Sequence, residues 1–361
     1  MRSRNISFKP DYDTSAERYD AFWHCDVIDR PPVNIYLAKE KRVPVPAGKH
    51  YDSYAEKWLD IEYRADCMSA NAENTLFYAD AMPTLWPNMG PEIFSAWCGC
   101  RMDYTADTTW AVPCIEDWAA NSGKCVFDMQ NHLFKMTEKF TDLLIERGKG
   151  KFIVGLTDFH GGGDHIAALR DPQNLALDLI YEPDNVKTML EQAEADFRKA
   201  YEHFEKKLFE NDMPLSTWMP SLISDERFYV PSNDFSCMVS NKMFEEFFLP
   251  GIADECRYFT NSIYHLDGPQ ALRYLDYLLE IKELNAIQYV PTAGKDGFGD
   301  LVPIYQRIQA GGKGVYVMCR ADDIDLLIES LKPQGLFIAE LRGIRSKEHA
   351  DEFLKRLENW R

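Results

Sequence analysis

Eight short apolar runs punctuate this 361-residue chain, and the stretches between them carry helical periodicity. The runs fall at 33–37, 75–79, 152–157, 218–223, 261–266, 286–290, 314–319 and 336–339. Most are continuously apolar rather than alternating, as parallel strands buried on both faces must be. Between them, 183–209 is amphipathic and rich in Glu and Lys. The segments 240–249, 322–330 and 346–360 also read as helices, the first and last opening on Ser240 and Ser346 as N-caps. Eight β/α alternations predict an α/β chain folded as a single (β/α)8 TIM barrel over 31–361. Residues 1–30 form an N-terminal helical extension, with its helix at 14–22. An open doubly wound sheet is the alternative, but no Gly-x-Gly-x-x-Gly follows the first strand. After the second strand, a long loop region at 86–125, rich in Trp, Gly, Pro and Cys, is expected to cover the end of the barrel where such folds place their sites.

A barrel puts its chemistry where strands end, so the polar residues at those ends are the candidates. They are Lys39, Asp80, Asp158, His160, Asp225, His265, Asp267, Gln288, Cys319 and Glu340. His265 and Asp267 lie two apart on one strand and share a face, next to Gly268, which turns the chain. An imidazole and a carboxylate so placed suit metal ligation or proton transfer; the plainer alternative is a buried hydrogen-bonded pair. The segment from Asp158 through His160, Gly161, Gly162 and Gly163 to Asp164 lets backbone approach a ligand and offers amides to an anion, with Asp164 as a cap for the next helix. Asp225 and Asp234 flank an aromatic loop that reads as a lid. Cys319 reads as a core thiol, and Glu340 as a partner of Arg342 or Arg345.

Charge narrows the partners. With 58 acidic and 40 basic residues the formal net charge is −18, so nucleic acid and anionic membranes are repelled. No run of about 18 apolar residues is present to span a bilayer. The first ten residues lack the apolar core of a signal peptide. The nine cysteines are odd in number, and only Cys98 and Cys100 are close neighbours. Reduced thiols and a cytoplasmic protein are therefore expected.

In order along the chain, these motifs resemble the uroporphyrinogen decarboxylase superfamily, which also holds corrinoid-dependent methyltransferases. The resemblance runs from about residue 30 to the end. It is carried by Asp80-Ala-Met-Pro and the Gly-Pro-Glu after it, by Asp158 to Asp171, by Met243-Phe-Glu-Glu-Phe-Phe-Leu-Pro-Gly-Ile and by Ile263-Tyr-His-Leu-Asp-Gly268. It is nearest to members labelled trimethylamine corrinoid protein 2. The resemblance implies a (β/α)8 barrel with its site at the C-terminal strand ends.

Two departures shape the expected function. The decarboxylases carry Met-Arg-Gln-Ala-Gly-Arg after the first strand to grip carboxylates; here the segment is Leu37-Ala-Lys-Glu-Lys-Arg42. Methyl-transferring relatives bind zinc through His-x-Cys and a later Cys. His265 matches that histidine, Asp267 stands in place of the first cysteine, and Glu340 is the candidate in the last strand. The resemblance therefore implies a methyltransferase that moves a methyl group between a small methylated substrate and a separate corrinoid protein. Zinc would sit on His265, Asp267 and Glu340, with Asp158 and His160 also catalytic. Asp80, Gly161, Gly162, Gly163, Asp225, Asp234 and Gln288 would contact substrate. A decarboxylase of a carboxylated substrate would instead line its pocket with Lys39, Lys41 and Arg42. A non-catalytic binding barrel would pair all its strand-end polar groups internally.

Overall fold

The structure is a computed structural model describing residues 1–292, 294–358 and 360. It is a mixed α/β fold built on a curled sheet of five parallel strands. In order these are Leu336–Arg342, Gly314–Arg320, Ala286–Val290, Asn261–Asp267 and Phe228–Tyr229. Four of them match the apolar runs expected at 261, 286, 314 and 336, and their inward residues are buried. Helices Phe298–Ala310 and Ile324–Ser330 connect neighbouring strands across one face, as parallel pairing requires. The register pairs His265 with Gln288 and Asp267 with Val290. Gly268, at φ 78°, makes the turn that follows, a left-handed conformation that a side chain would strain.

Among the described residues this parallel ladder is continuous over five strands, short of the expected eight. Beyond it the pairing continues in pieces. Val33 bridges Ile338 in parallel, and Thr84–Leu85 pairs in parallel with Ile153–Val154. The Leu156 amide donates to the Ser216 carbonyl at 2.7 Å.

Two expected strands are corrected. Residues 75–79 do form a strand, Thr75–Ala79, but it folds back antiparallel on Asn34–Ala38, pairing Asn34 with Ala79. Its side chains are only partly buried, and the parallel position passes to Thr84–Leu85. The run at 218–223 is a turn between two-residue strands, Leu215–Ser216 and Ile223–Ser224, which pair antiparallel. Pro220 and the positive φ of Ser221 (67°) break the run, and its apolarity serves burial rather than a ladder.

Helix Tyr12–Trp23, expected at 14–22, buries Tyr12, Tyr19, Phe22 and Trp23. The Trp23 indole donates to the Ile223 carbonyl at 3.0 Å, and Tyr19 packs edge-on to Phe337 at 5.3 Å. These rings share one hydrophobic cluster with the sheet. Ser240 and Ser346 cap their helices as expected, accepting from the amides of Met243 and His349. The second of these helices is Lys347–Leu357, and Asn359 of the expected span lies outside the described residues. The loop region 86–125 contains helix Ile93–Trp97 and an antiparallel hairpin, Arg101–Tyr104 with Thr109–Val112, which no sequence signal marked. All nine cysteines are free thiols, and Cys114 Sγ lies 3.3 Å from Cys100 Sγ and 3.2 Å from Cys125 Sγ.

Candidate functional site

At the C-terminal ends of the parallel strands, the loop region and the sheet enclose a cavity of about 620 Å³. Pro91, Glu92, Trp110 and Pro113 come from the 86–125 region, and His160, Trp218, Asp234 and His265 from the opposite side. The volume is that of a small-molecule site. Its charged lining is acidic, with Glu92, Asp158, Asp164, Asp171 and Asp234, and it contains no lysine or arginine.

His265 is fixed from behind. Its register partner Gln288 points the same way, and the Gln288 Oε1 accepts from His265 Nδ1 at 2.7 Å. That bond sets the tautomer and leaves the Nε2 lone pair free. Trp218 packs its ring edge-on to His265 at 5.2 Å and 84°, and sits 6.4 Å from the His160 ring. Ser232 bridges His265 in parallel, bringing the chain around so that Asp234 joins His265 and Asp267. One ligand atom from each of these three lies within 4.8 Å of the others, close enough to share an ion. Asp234 lines the cavity, although the residue as a whole is exposed. Burial raises its carboxyl to about 6, with Asp164 and Asp267 adding to the rise and His265 and His160 opposing it.

The strap 232–235 is held by Asp164. Its carboxylate accepts from the amides of Asp234 (3.0 Å) and Phe235 (2.8 Å) and from the Ser232 hydroxyl (3.0 Å). Asp164 was expected to cap its own helix; it sits inside the first turn of Gly162–Arg170 and caps the Asp234–Met238 turn instead. His160 completes the network, with Nε2 on Asp158 at 2.8 Å and Nδ1 on Ser232 at 3.3 Å. Burial alone would lower its pKa, but the adjacent Asp158 outweighs that and the net shift is upward. Deeper in the wall, His165 bonds Ser95 at 2.8 Å and packs at a tilt against Phe94, 4.5 Å between ring centres; burial lowers it to about 3, so it is a neutral packing residue.

The fold thus gathers His265, Asp234, Asp158 and His160 at one cavity, with the exposed Asp267 beside His265 and Asp234 and with Gln288 behind His265 as its positioning partner. Six expected site residues lie elsewhere. Asp80 is 0 % exposed, its carboxylate held by Arg18 at 2.8 Å, by Arg30 and by the Val33 amide. It sits there because its strand turned back antiparallel. Asp225 pairs with Arg4 at 2.6 Å and receives the Arg2 amide, anchoring the N-terminal segment. Glu340 faces Arg342 (3.5 Å) and Tyr316 (3.4 Å), outside the three-ligand group, in which Asp234 takes its place. Gly161, Gly162 and Gly163 face away from this cavity, the last two lining a second one behind the strap. Lys39 lies over the Phe8 ring and its carbonyl accepts from Arg42, so neither enters the cavity. Trp218 was not singled out in the sequence because it opened a run that reads as a strand.

No protein-family model and no curated protein matches the chain. Among solved structures, a methyltransferase from Methanosarcina mazei is similar over 98% of this chain and 98% of its own, with a TM-score of 0.59 and 10% sequence identity. At that identity the likeness is one of fold.

Proposed function

We propose that this chain is a methyltransferase of a corrinoid-dependent system, built on a (β/α)8 barrel whose larger part is the curled parallel sheet. The observation that carries the reading is the grouping of His265 with Asp234 and Asp267, one ligand atom of each within 4.8 Å of the others, beside a cavity of small-molecule size that His265 and Asp234 line, on a fold shared with a methyltransferase. One imidazole nitrogen and two carboxylate oxygens fit a divalent ion such as zinc. When bound, the ion would act as a Lewis acid on the heteroatom that gives or takes the methyl group. Asp234, His265 and Asp267 would hold it. Gln288 keeps the imidazole in the ligating tautomer. His160, with Nε2 on Asp158 and Nδ1 on Ser232, acts as a positioning residue that orders the strap beside Asp234 and holds positive charge near the site. Trp218 and Trp110 supply aromatic walls to the cavity.

In this reading the protein works in the cytoplasm, and the methyl group passes to or from a corrinoid carried by a separate protein. A carboxy-lyase for a polycarboxylated substrate is disfavoured, because the cavity is acid-lined and Lys39, Lys41 and Arg42 are absent from its lining. A purely binding barrel is disfavoured because the His265 Nε2 remains open among the described residues. Metal analysis of purified protein beside His265→Ala tests the proposal. We expect about one zinc per chain in the parent, loss of metal in the variant, and a fall of at least ~100-fold in methyl transfer to a cobalamin acceptor. Unchanged transfer in the metal-free variant would refute it.

A further inference from the structure

Behind the strap lies a second chamber of about 470 Å³, sharing Ser232 with the first and otherwise lined by different residues. Its walls are largely apolar, with Leu190, Phe247, Phe248, Pro250 and Ile252. Two of its polar residues hold buried atoms without partners. Asn233 is 3% exposed, yet neither its Oδ1 nor its Nδ2 has a hydrogen bond. Its amide is packed over Gly163, where a Cβ would come within 2.5 Å of Oδ1. Glu194 Oε2 is also buried without a partner. Glu255, which also lines the chamber, is 8% exposed. An unsatisfied buried amide costs about 1–3 kcal/mol, so two such residues, Asn233 and Glu194, at one cavity mark a place shaped for something else to bind.

The sign of that ligand follows from charge. The lining carries five acidic residues and two basic ones, and both basic residues are already paired, Lys187 with Glu246 at 2.8 Å and Arg198 with Asp254. The N-terminus of helix Gly162–Arg170 borders the chamber, but the protein's own carboxyls stand in the position an anion would take. Glu255 Oε1 and Glu194 Oε1 each lie 3.6 Å from where a Cβ on Gly161 or Gly162 would be. This answers the expectation that the glycine run offers amides to an anion. The size and apolar walls suit an organic molecule better than a bare ion. The only three-ligand group tight enough for a metal among the described residues lies in the other cavity.

We propose that this second chamber binds a small primary ammonium compound, its N–H groups donating to Glu194, Glu255 and Asn233 Oδ1 and its carbon chain lying against Phe247 and Phe248. Burial raises Glu194 to about 7, and burial with the neighbouring Glu194 raises Glu255 well above the usual carboxyl range. Ammonium binding would therefore ionise them and release protons. Because the strap 232–234 separates the two chambers, occupancy behind it would fix Asp234 in front.

Calorimetric titration of the full chain with n-butylammonium chloride tests this independently of any methyl transfer. Binding is expected with proton release between pH 6 and 7.5, read as a dependence on the buffer's ionisation enthalpy. Asn233→Ala and the near-isosteric Glu194→Gln should each weaken it about tenfold or more, while His265→Ala should leave it unchanged. Unfolding curves establish that the variants remain folded. Absence of binding, an affinity insensitive to both chamber variants, loss of binding in His265→Ala, or preference for sodium butyrate or calcium chloride would each overturn it.

Discussion

At the scale of single residues, the candidate site depends on which protons are absent. A carboxylate must be ionised and an imidazole neutral to ligate a metal. Asp234, raised to about 6, is largely protonated below that value and largely ionised above it. Zinc affinity should therefore rise as pH increases from 5 to 7, by up to about tenfold per unit from this group alone. Asp234→Ala should lower the affinity at pH 7.5 and flatten that rise. Titration calorimetry at pH 5.5, 6.5 and 7.5 on both proteins checks it, and a parallel fall at all three values would dissociate Asp234 from the effect. His265 was legible in the sequence because a histidine interrupts an apolar strand just before a glycine. Asp234 was legible only as a loop acid. Its approach to His265 arises from the Ser232 bridge, a long-range pairing that local periodicity does not encode. Glu194 and Glu255 gave no signal at all, being ordinary acids within helical patterns.

At the scale of elements, four strands and the capped helices were readable because each contains its own reason for forming: a buried apolar run, or a serine whose hydroxyl meets an amide three residues on. What failed was partnership. Residues 75–79 have strand composition, but nothing local states that Asn34–Ala38 will accept them antiparallel. Asp80 was then assigned to a strand end open to ligand when it is the anion of a buried Arg18 and Arg30 cluster. The strap 232–235 is a more delicate element, since much of its order comes from one carboxylate. Asp164→Ala removes three hydrogen-bond acceptances and should cost about 1–3 kcal/mol. Amide exchange at Asp234 and Phe235 should accelerate at least ~10-fold, while the sheet amides at 263–266 keep their protection. Equal acceleration in both places would mean that Asp164 supports the whole fold rather than the strap.

At the scale of the molecule, a pair of buried acids behind the strap ties stability to pH. Glu194 and Glu255 have folded pKa values above their unfolded ones, so their contribution is fully present below about 4.5 and is lost as pH rises toward the folded values. Asp29, lowered to about 2 chiefly by its hydrogen bonds to Arg18, acts only in the acid limb, where stability falls with its protonation. His165, buried and neutral, also favours the higher pH, so the raw profile mixes opposite slopes. The difference between Glu194→Gln and the parent isolates one group. The variant should gain relative stability from pH 5 to 8, approaching a gain on the order of 3 kcal/mol in denaturant unfolding. A pH-independent difference would show that Glu194 is ionised in the folded protein.

The acid lining of the front cavity also governs arrival. Field lines from five carboxylates, on a chain of net charge −18, converge at a mouth with low-dielectric walls. A cation diffusing nearby is drawn in along them, whereas an anion meets a barrier before touching any atom of the site. The pull is felt over roughly one Debye length, about 8 Å at physiological ionic strength. What the cavity admits is thus partly decided in the solvent outside it, and added salt would loosen that selection before altering a single contact.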